Sequence, residues 1–301
     1  MALPDRVRIV EVGPRDGFQN EAQVVAIEVK VEFIDRLAST GVSVIEATSF
    51  VRPDRIPQLA DAPQVMQGIT RRPGVAYAAL VPNLRGLEGA LEAGVDEVAV
   101  FTAASEQFAQ ANIGRSIAAS LEMFAPVLDR ARDAGVRCRG YVSTVLGCPF
   151  QGSVPPEDVL RVTVSLFELG VDEVSLGDTI GVGTVGGVHD LLDVLTREVP
   201  VERLAVHMHD TFGQGLANTL AAFERGVTVA DTSAGGLGGC PYAPGAKGNL
   251  ATEDLVYALE RSGVATGIDL EALVDVSEWM ARQLGRQPES RVVQAVLAKR
   301  H

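Results

Sequence analysis

The sequence predicts an α/β fold, a (β/α)8 TIM barrel with a C-terminal helical extension, and three observations lead there. Short apolar runs alternate with longer amphipathic segments along the whole chain, the rhythm of strand-helix units wound about a parallel sheet. A Gly-Val step recurs where a helix would end and a strand begin, at Gly41-Val42, Gly74-Val75, Gly94-Val95, Gly135-Val136, Gly170-Val171 and Gly226-Val227. Glycine most readily takes the left-handed conformation that closes a helix. Adding RIVEVG near the start and LAVHMH near residue 205 makes eight candidate strands, and eight is the barrel number.

In chain order the strands are expected at 7–13, 42–48, 75–81, 95–102, 136–143, 171–177, 203–209 and 227–232. The segments between them, such as VAIEVKVEFIDRLAST after the first strand and TVGGVHDLLDVLTREV after the sixth, are long enough to be crossover helices. No abrupt change of composition and no long polar linker divides the chain. The barrel is therefore read as one domain over 5–263, and LEALVDVSEWMARQLG belongs to a helical extension over 264–301. That extension is expected either to cover a second copy in a homodimer or to cap the barrel base. A doubly wound open sheet is the competing architecture.

Of the 301 residues, 47% are apolar, 22% charged and 5% aromatic, a globular composition with enough apolar material for a large core. A net charge of -13 repels polyphosphate backbones, so no nucleic-acid partner is expected. The cysteines Cys138, Cys148 and Cys240 are odd in number and form no CxxC pair, which points to reduced thiols and a cytoplasmic location. The start has no apolar signal-peptide run and no stretch approaches the roughly 18 apolar residues of a membrane span, so no membrane association is expected.

In such a barrel the chemistry gathers where the strands run out at their C-terminal ends. The first strand ends in Gly13-Pro14-Arg15-Asp16-Gly17, the second in Glu46-Ala47-Thr48-Ser49, the sixth in Asp178-Thr179 and the seventh in His207-Met208-His209-Asp210. His207 and His209 stand two apart on a strand and share a face, with Val206 and Met208 on the other. One isolated histidine would read as a hydrogen-bonded core residue. Two of the chain's four histidines in this register, with carboxylates at neighbouring strand ends, read as a metal site. Asp16 is the natural anionic ligand, and Asn249 offers a carbonyl oxygen from the last loop. Such nitrogen and oxygen donors suit Mg²⁺ or Mn²⁺, while ligand type alone leaves Zn²⁺ or Fe²⁺ open.

The three lysines, Lys30, Lys247 and Lys299, all lie outside the expected strands, which disfavours a Schiff-base aldolase. Cys240, in GGLGGCPY, fits a small buried filler and a proton-transferring thiol on a glycine loop equally well. The run Gly181-Val182-Gly183-Thr184-Val185-Gly186 matches the dinucleotide pattern GxGxxG. Yet the acidic residue expected at the end of the next strand is missing, where His207 and His209 stand instead, so a tight turn is the simpler account.

EVGPRDGFQNE, EATSFV, GYVSTVLGCPF, SLGDTIGVGT, HMHDTFGQGLANTL and GGLGGCPYAPGAKGNLATEDLVY together closely resemble the 3-hydroxy-3-methylglutaryl-CoA lyase family, in collinear order from about residue 8 to residue 268. The resemblance implies retro-Claisen cleavage of a branched 3-hydroxyacyl-CoA to acetyl-CoA and acetoacetate. By position it implies Asp16, His207, His209 and Asn249 as metal ligands, Arg15 facing the thioester carbonyl, Glu46 and Asp178 as supporting acids, and Cys240 as the loop thiol. The expected catalytic set is then Arg15, Asp16, Glu46, Asp178, His207 and Cys240, with Asp16 or His207 as the base. Gln19, Arg52, Arg55 and Thr179 join Arg15 in binding the CoA thioester. Family members commonly carry a lysine after QNE near the CoA phosphates, where this chain has Ala22. Arg52 and Arg55 can take over that contact or form a solvated rim. The nearest rival activity is a metal-dependent aldolase or acetyl-CoA-condensing synthase on the same barrel.

Overall fold

The structure is a computed structural model that describes residues 3–239 and 248–300. Its strands are β1 (Arg8–Glu11), β2 (Val44–Ser49), β3 (Ala76–Leu80), β4 (Glu97–Ala103), β5 (Arg137–Ser143), β6 (Glu173–Asp178), β7 (Leu204–Met208) and β8 (Val229–Thr232). They are parallel and close in chain order, β8 returning to β1 from Arg8↔Val229 to Glu11↔Thr232. Around them run α1 (Ile27–Ala38), α2 (Ala62–Gly68), α3 (Leu84–Glu92), α4 (Glu106–Ile113), α5 (Ile117–Asp133), α6 (Pro156–Glu168), α7 (Val185–Leu195), α8 (Gly215–Glu224) and α9 (Thr252–Arg261). Among the described residues no helix is long and apolar enough to cross a membrane.

The Gly-Val steps at Gly94, Gly135, Gly170 and Gly226 close helices as expected and also explain where the strands start, whereas Gly74 lies six residues past the end of α2, in a separate turn where Val75 donates to the Arg72 carbonyl at 3.2 Å. All six glycines have positive φ, from +68° at Gly94 to +95° at Gly41. After them Val95, Val136, Val171 and Val227 donate back to the carbonyls of Ala90, Ala131, Leu166 and Ala222 at 3.0–3.2 Å. These are the six-residue closures of a left-handed helix cap. The valine amide therefore belongs to the helix end, and each strand after a step begins one or two residues later than expected, at 44, 76, 97, 137, 173 and 229.

Outward-facing residues such as Val98, Val142, Val174, Leu176, Val206 and Met208 are buried under the helices in the main apolar core. The barrel interior is divided. One part is apolar, filled by Val10, Val12, Val44, Ala78, Ala205 and Val229. The other part is polar, with Glu173 accepting from Arg8 of β1 and from Arg137 and Arg139 of β5. Beyond α9, α10 (Leu270–Gln283) packs against α1 and α9, and the Arg36 guanidinium lies 4.7 Å above the Trp279 ring. The last helix, α11 (Arg291–Arg300), is anchored where Ser290 donates to Asp254 at 2.7 Å. Lys30 is buried in α1 with its ammonium donating to Asp61 and to the carbonyl of Gln58, a structural role.

Candidate active site and cation-binding cluster

The backbone after β1 does not run straight into α1. Residues Gly13–Gly17 form a single π-helical turn in which the amides of Arg15, Asp16 and Gly17 all reach the Val12 carbonyl, at 3.1, 2.7 and 3.4 Å. A Cβ on Gly13 would meet Glu11 Oε1 at 2.7 Å, and one on Gly17 would meet the Leu237 Cβ at 2.9 Å. Glycine at both positions lets the turn sit tightly over the barrel, where Arg15 and Asp16 both line its cavity. From the other side of the chain, residues 248–251 lie across the ends of β7 and β8. Leu250 donates to the Met208 carbonyl, Ser233 donates to the Leu250 carbonyl, and His209 bridges Asn249.

Asp16, His207 and His209 thereby converge, with one ligand atom from each lying within 4.8 Å of the others. The two imidazole Nε2 atoms are 3.2 Å apart. His207 Nδ1 sits 3.2 Å from Asp231, a geometry in which Nδ1–H donates and Nε2 keeps its lone pair toward the cluster. The Asn249 amide nitrogen donates to Asp16 at 2.9 Å and to the Leu237 carbonyl at 3.0 Å. Its Oδ1 is buried with no hydrogen-bond partner among the described residues. A buried amide oxygen left without a donor is costly unless something else meets it. One carboxylate, two imidazole nitrogens and this orphaned oxygen form a donor set that fits a divalent cation.

The electrostatics of the cluster are strongly coupled. Burial alone would raise Asp16, but Arg15, then His207 and His209, outweigh it and hold the carboxyl at about 2. Burial, then the neighbouring His207, pushes His209 down to about 4, so it is a neutral donor at pH 7. His207 moves upward because the hydrogen bond and charge of Asp231, followed by Asp16, overcome its burial. Arg15, 6% exposed, gives Nε to Glu46 and Nη1 to Asp16, both at 2.5 Å. Burial opposes its charge, and Glu46 and Asp16 restore it.

The remaining expected residues divide into two groups. Arg15, Gln19, Arg52, Arg55 and Thr179 all line a cavity of about 830 Å³ above His207 and His209. Gln19 Oε1 is buried without a partner among the described residues. Arg52 is exposed and paired with Asp54, and the exposed Arg55 adds its charge beside the same carboxylate. The Thr179 hydroxyl is engaged by the Thr144 amide at 2.8 Å, bracing the loop after β5, whose Thr144 holds a φ of +62°. Asp178 stands apart from the cation cluster. Its carboxylate accepts from the amides of Val182 and Gly183 at 3.2 and 2.9 Å, so the glycine-rich run is a turn that its own acid satisfies. Cys240 and Lys247 lie outside the described residues.

Sequence reasoning missed Arg139, Tyr141 and Asp231 inside the barrel and Arg115 at the cavity mouth. Period-two alternation along β5 would have placed Arg137, Arg139, Tyr141 and Ser143 on one inward face. Arg115 carries no such signal.

The chain is similar to known proteins over nearly its whole length. The HMGL-like family model matches residues 6–280. The 3-hydroxy-3-isohexenylglutaryl-CoA/hydroxy-methylglutaryl-CoA lyase of Pseudomonas aeruginosa is 54% identical over 299 residues, covering 99% of this chain and 100% of its own. The crystal structure of hydroxymethylglutaryl-CoA lyase from Pseudomonas aeruginosa superposes with a TM-score of 0.97 at 54% identity, covering 99% of this chain and 100% of that one. An HMG-CoA lyase from Acinetobacter baumannii, solved in complex with coenzyme A and 3-methylmalate, superposes with a TM-score of 0.93 at 38% identity, covering 98% of this chain and 96% of that one.

Proposed function

The chain belongs to the HMGL-like family, and from that premise we infer that it is a carbon-carbon lyase cleaving 3-hydroxy-3-methylglutaryl-CoA to acetyl-CoA and acetoacetate. The observation that carries the reading is the meeting of Asp16, His207, His209 and the free Asn249 oxygen beside the buried guanidinium of Arg15. Mg²⁺ or Mn²⁺ held by those four residues would supply the positive charge that makes a tertiary hydroxyl acidic.

The protein's own groups account for the rest. Of the two expected bases we assign the substrate hydroxyl proton to Asp16, because His207 turns Nδ1–H to Asp231 and would spend its Nε2 lone pair on the cation. As the carbon-carbon bond breaks, negative charge moves onto the thioester oxygen of the acetyl-CoA enolate. Arg15 is the donor placed to meet it, because Glu46 and Asp16 occupy Nε and Nη1 and no bond from Nη2 is found among the described residues. The proton that completes acetyl-CoA is assigned to Cys240 by the resemblance alone. Arg52, Arg55 and Arg115 on the cavity rim are the groups we assign to the CoA phosphates, and they stand out in a chain of net charge -13.

Phe101, Phe108, Ile113 and Met123 give the cavity an apolar wall, which supports a second substrate with a longer branch at carbon 3, such as the isohexenyl group in the name of the Pseudomonas aeruginosa relative. The aldolase or condensing-synthase alternative is not favoured. We place the enzyme in the cytoplasm, supported by the buried free thiols of Cys138 and Cys148. We propose a homodimer, with the partly exposed Val292, Val296 and Leu297 of α11 as surface available to it.

The test is acetoacetate release from 3-hydroxy-3-methylglutaryl-CoA. Activity is expected to stop with a chelator and return with Mg²⁺ or Mn²⁺. Condensation of acetyl-CoA with a 2-oxo acid, without any such cleavage, would overturn the assignment.

A further inference from the structure

Arg139, on β5 and 1% exposed, lies in the barrel interior below the cluster and is absent from the wall of the cavity. Its guanidinium serves three recipients at once. Nε donates to Glu173 at 2.9 Å, Nη1 to the Tyr141 hydroxyl at 2.9 Å and Nη2 to Asp231 Oδ1 at 2.6 Å. Two hydrogen-bonded branches continue from there. Asp231 Oδ2 accepts from Ser175 at 2.7 Å and meets His207 Nδ1 at 3.2 Å. The Tyr141 hydroxyl donates to Glu46 Oε1 at 3.3 Å, and Glu46 Oε2 holds Arg15 Nε.

We propose that Arg139 is a positioning residue for carbon-carbon cleavage, fixing His207 through Asp231 and Arg15 through Tyr141 and Glu46. The proposal rests on the metal-dependent reading of the site. A planar fork with fixed donor directions can hold two acceptors at a set separation, which a flexible ammonium cannot. The first branch keeps His207 Nδ1 as a donor, so Nε2 stays aimed at the cation. The second keeps the Arg15 fork turned to the place where enolate charge develops. The two halves of the chemistry, cation and guanidinium, are thereby referenced to one rigid group. A buried ion pair with no other role would affect folding alone.

Three variants separate these outcomes, each first checked for folding by its melting curve. Mn²⁺ binding to the metal-free protein is measured by calorimetry beside kcat and KM. Asp231→Asn cuts only the first branch and is expected to weaken Mn²⁺ binding about tenfold or more. Tyr141→Phe cuts only the second and is expected to leave Mn²⁺ binding within about twofold of the parent while kcat falls about tenfold or more at nearly constant KM. Arg139→Lys keeps the charge and is expected to show both losses. An Asp231→Asn protein that folds and binds Mn²⁺ as the parent does overturns the proposal, as does a Tyr141→Phe protein with parental kcat. Those two results leave the metal reading intact. A parent protein that takes up no Mn²⁺ overturns the metal reading and this proposal together.

Discussion

The Asn249 amide nitrogen donates to Asp16 at 2.9 Å across 233 residues of sequence, and this bond decides which end of the amide faces the site. With the nitrogen spent on Asp16 and on the Leu237 carbonyl, the oxygen is the atom left over. Asn249→Ala removes that oxygen together with a donor that helps hold Asp16 ionised. Calorimetry is expected to show Mn²⁺ affinity lowered about tenfold or more. Unchanged affinity would mean the amide oxygen is not a ligand.

Arg15→Met tests the charge at the thioester. Loss of one preorganised donor to a developing oxyanion costs about 3 kcal/mol, so kcat is expected to fall about a hundredfold or more. It also strands the Glu46 carboxylate, which burial already pushes toward its protonated form. Adding Glu46→Gln should therefore recover melting temperature without recovering rate. Near-normal turnover in Arg15→Met would remove the arginine from the mechanism.

Two buried acids behind the site predict how stability varies with pH. Glu253, on α9, accepts from the Gly235 amide at 3.0 Å and from Ser277 of α10, and burial raises it to about 8. Glu11 accepts from the Ala234 amide and the Thr252 hydroxyl, and burial raises it to about 7. Both ordinarily titrate at 4.5, so between these limits the folded chain binds more protons than the unfolded one. Their contribution is full below 4.5 and is lost as pH rises through about 7 and 8. Glu253→Gln cannot ionise and is expected to melt with a shallower fall between pH 5 and pH 8 than the parent, both in chelator. Equal slopes would place the proton elsewhere.

Asp178→Ala leaves the amides of Val182 and Gly183 without their acceptor. The Gly183 amide is the buried one, and an unmet buried donor costs roughly 1–3 kcal/mol, so the melting temperature should drop by a few degrees. Metal affinity is expected to hold, because Asp178 is not among the cluster's ligand atoms. A tenfold loss of Mn²⁺ binding with little loss of stability would reverse that role.

The barrel was readable because the strand-helix units carry their own local signals, an apolar run followed by a helical pattern and, before six of the eight strands, a glycine stop. His207 and His209 were readable for the same reason, since their spacing alone puts them on one face. Arg139 was not, although its alternation was available. Its meaning comes from Glu173 and Asp231, 34 and 92 residues away, and a single arginine inside a strand does not announce two acids on other strands. Likewise the π-helical turn that aims Arg15 and Asp16 depends on Leu237 and Glu11 packing against its glycines. Thr179 and Asp178 were read by position at a strand end, where the loop backbone turned out to need their oxygens.

The glycine-valine closures also mark where the molecule can be cut and rejoined. At each of the four fully bonded steps, the preceding helix has already satisfied its last carbonyls before the next strand begins. A chimaera with a homologous enzyme spliced at those seams would inherit a finished helix on one side and an intact strand on the other. Recombination there should therefore exchange whole strand-helix units, and the unit between the Gly94 and Gly135 seams carries Phe101, Phe108, Ile113 and Met123 of the cavity wall with it.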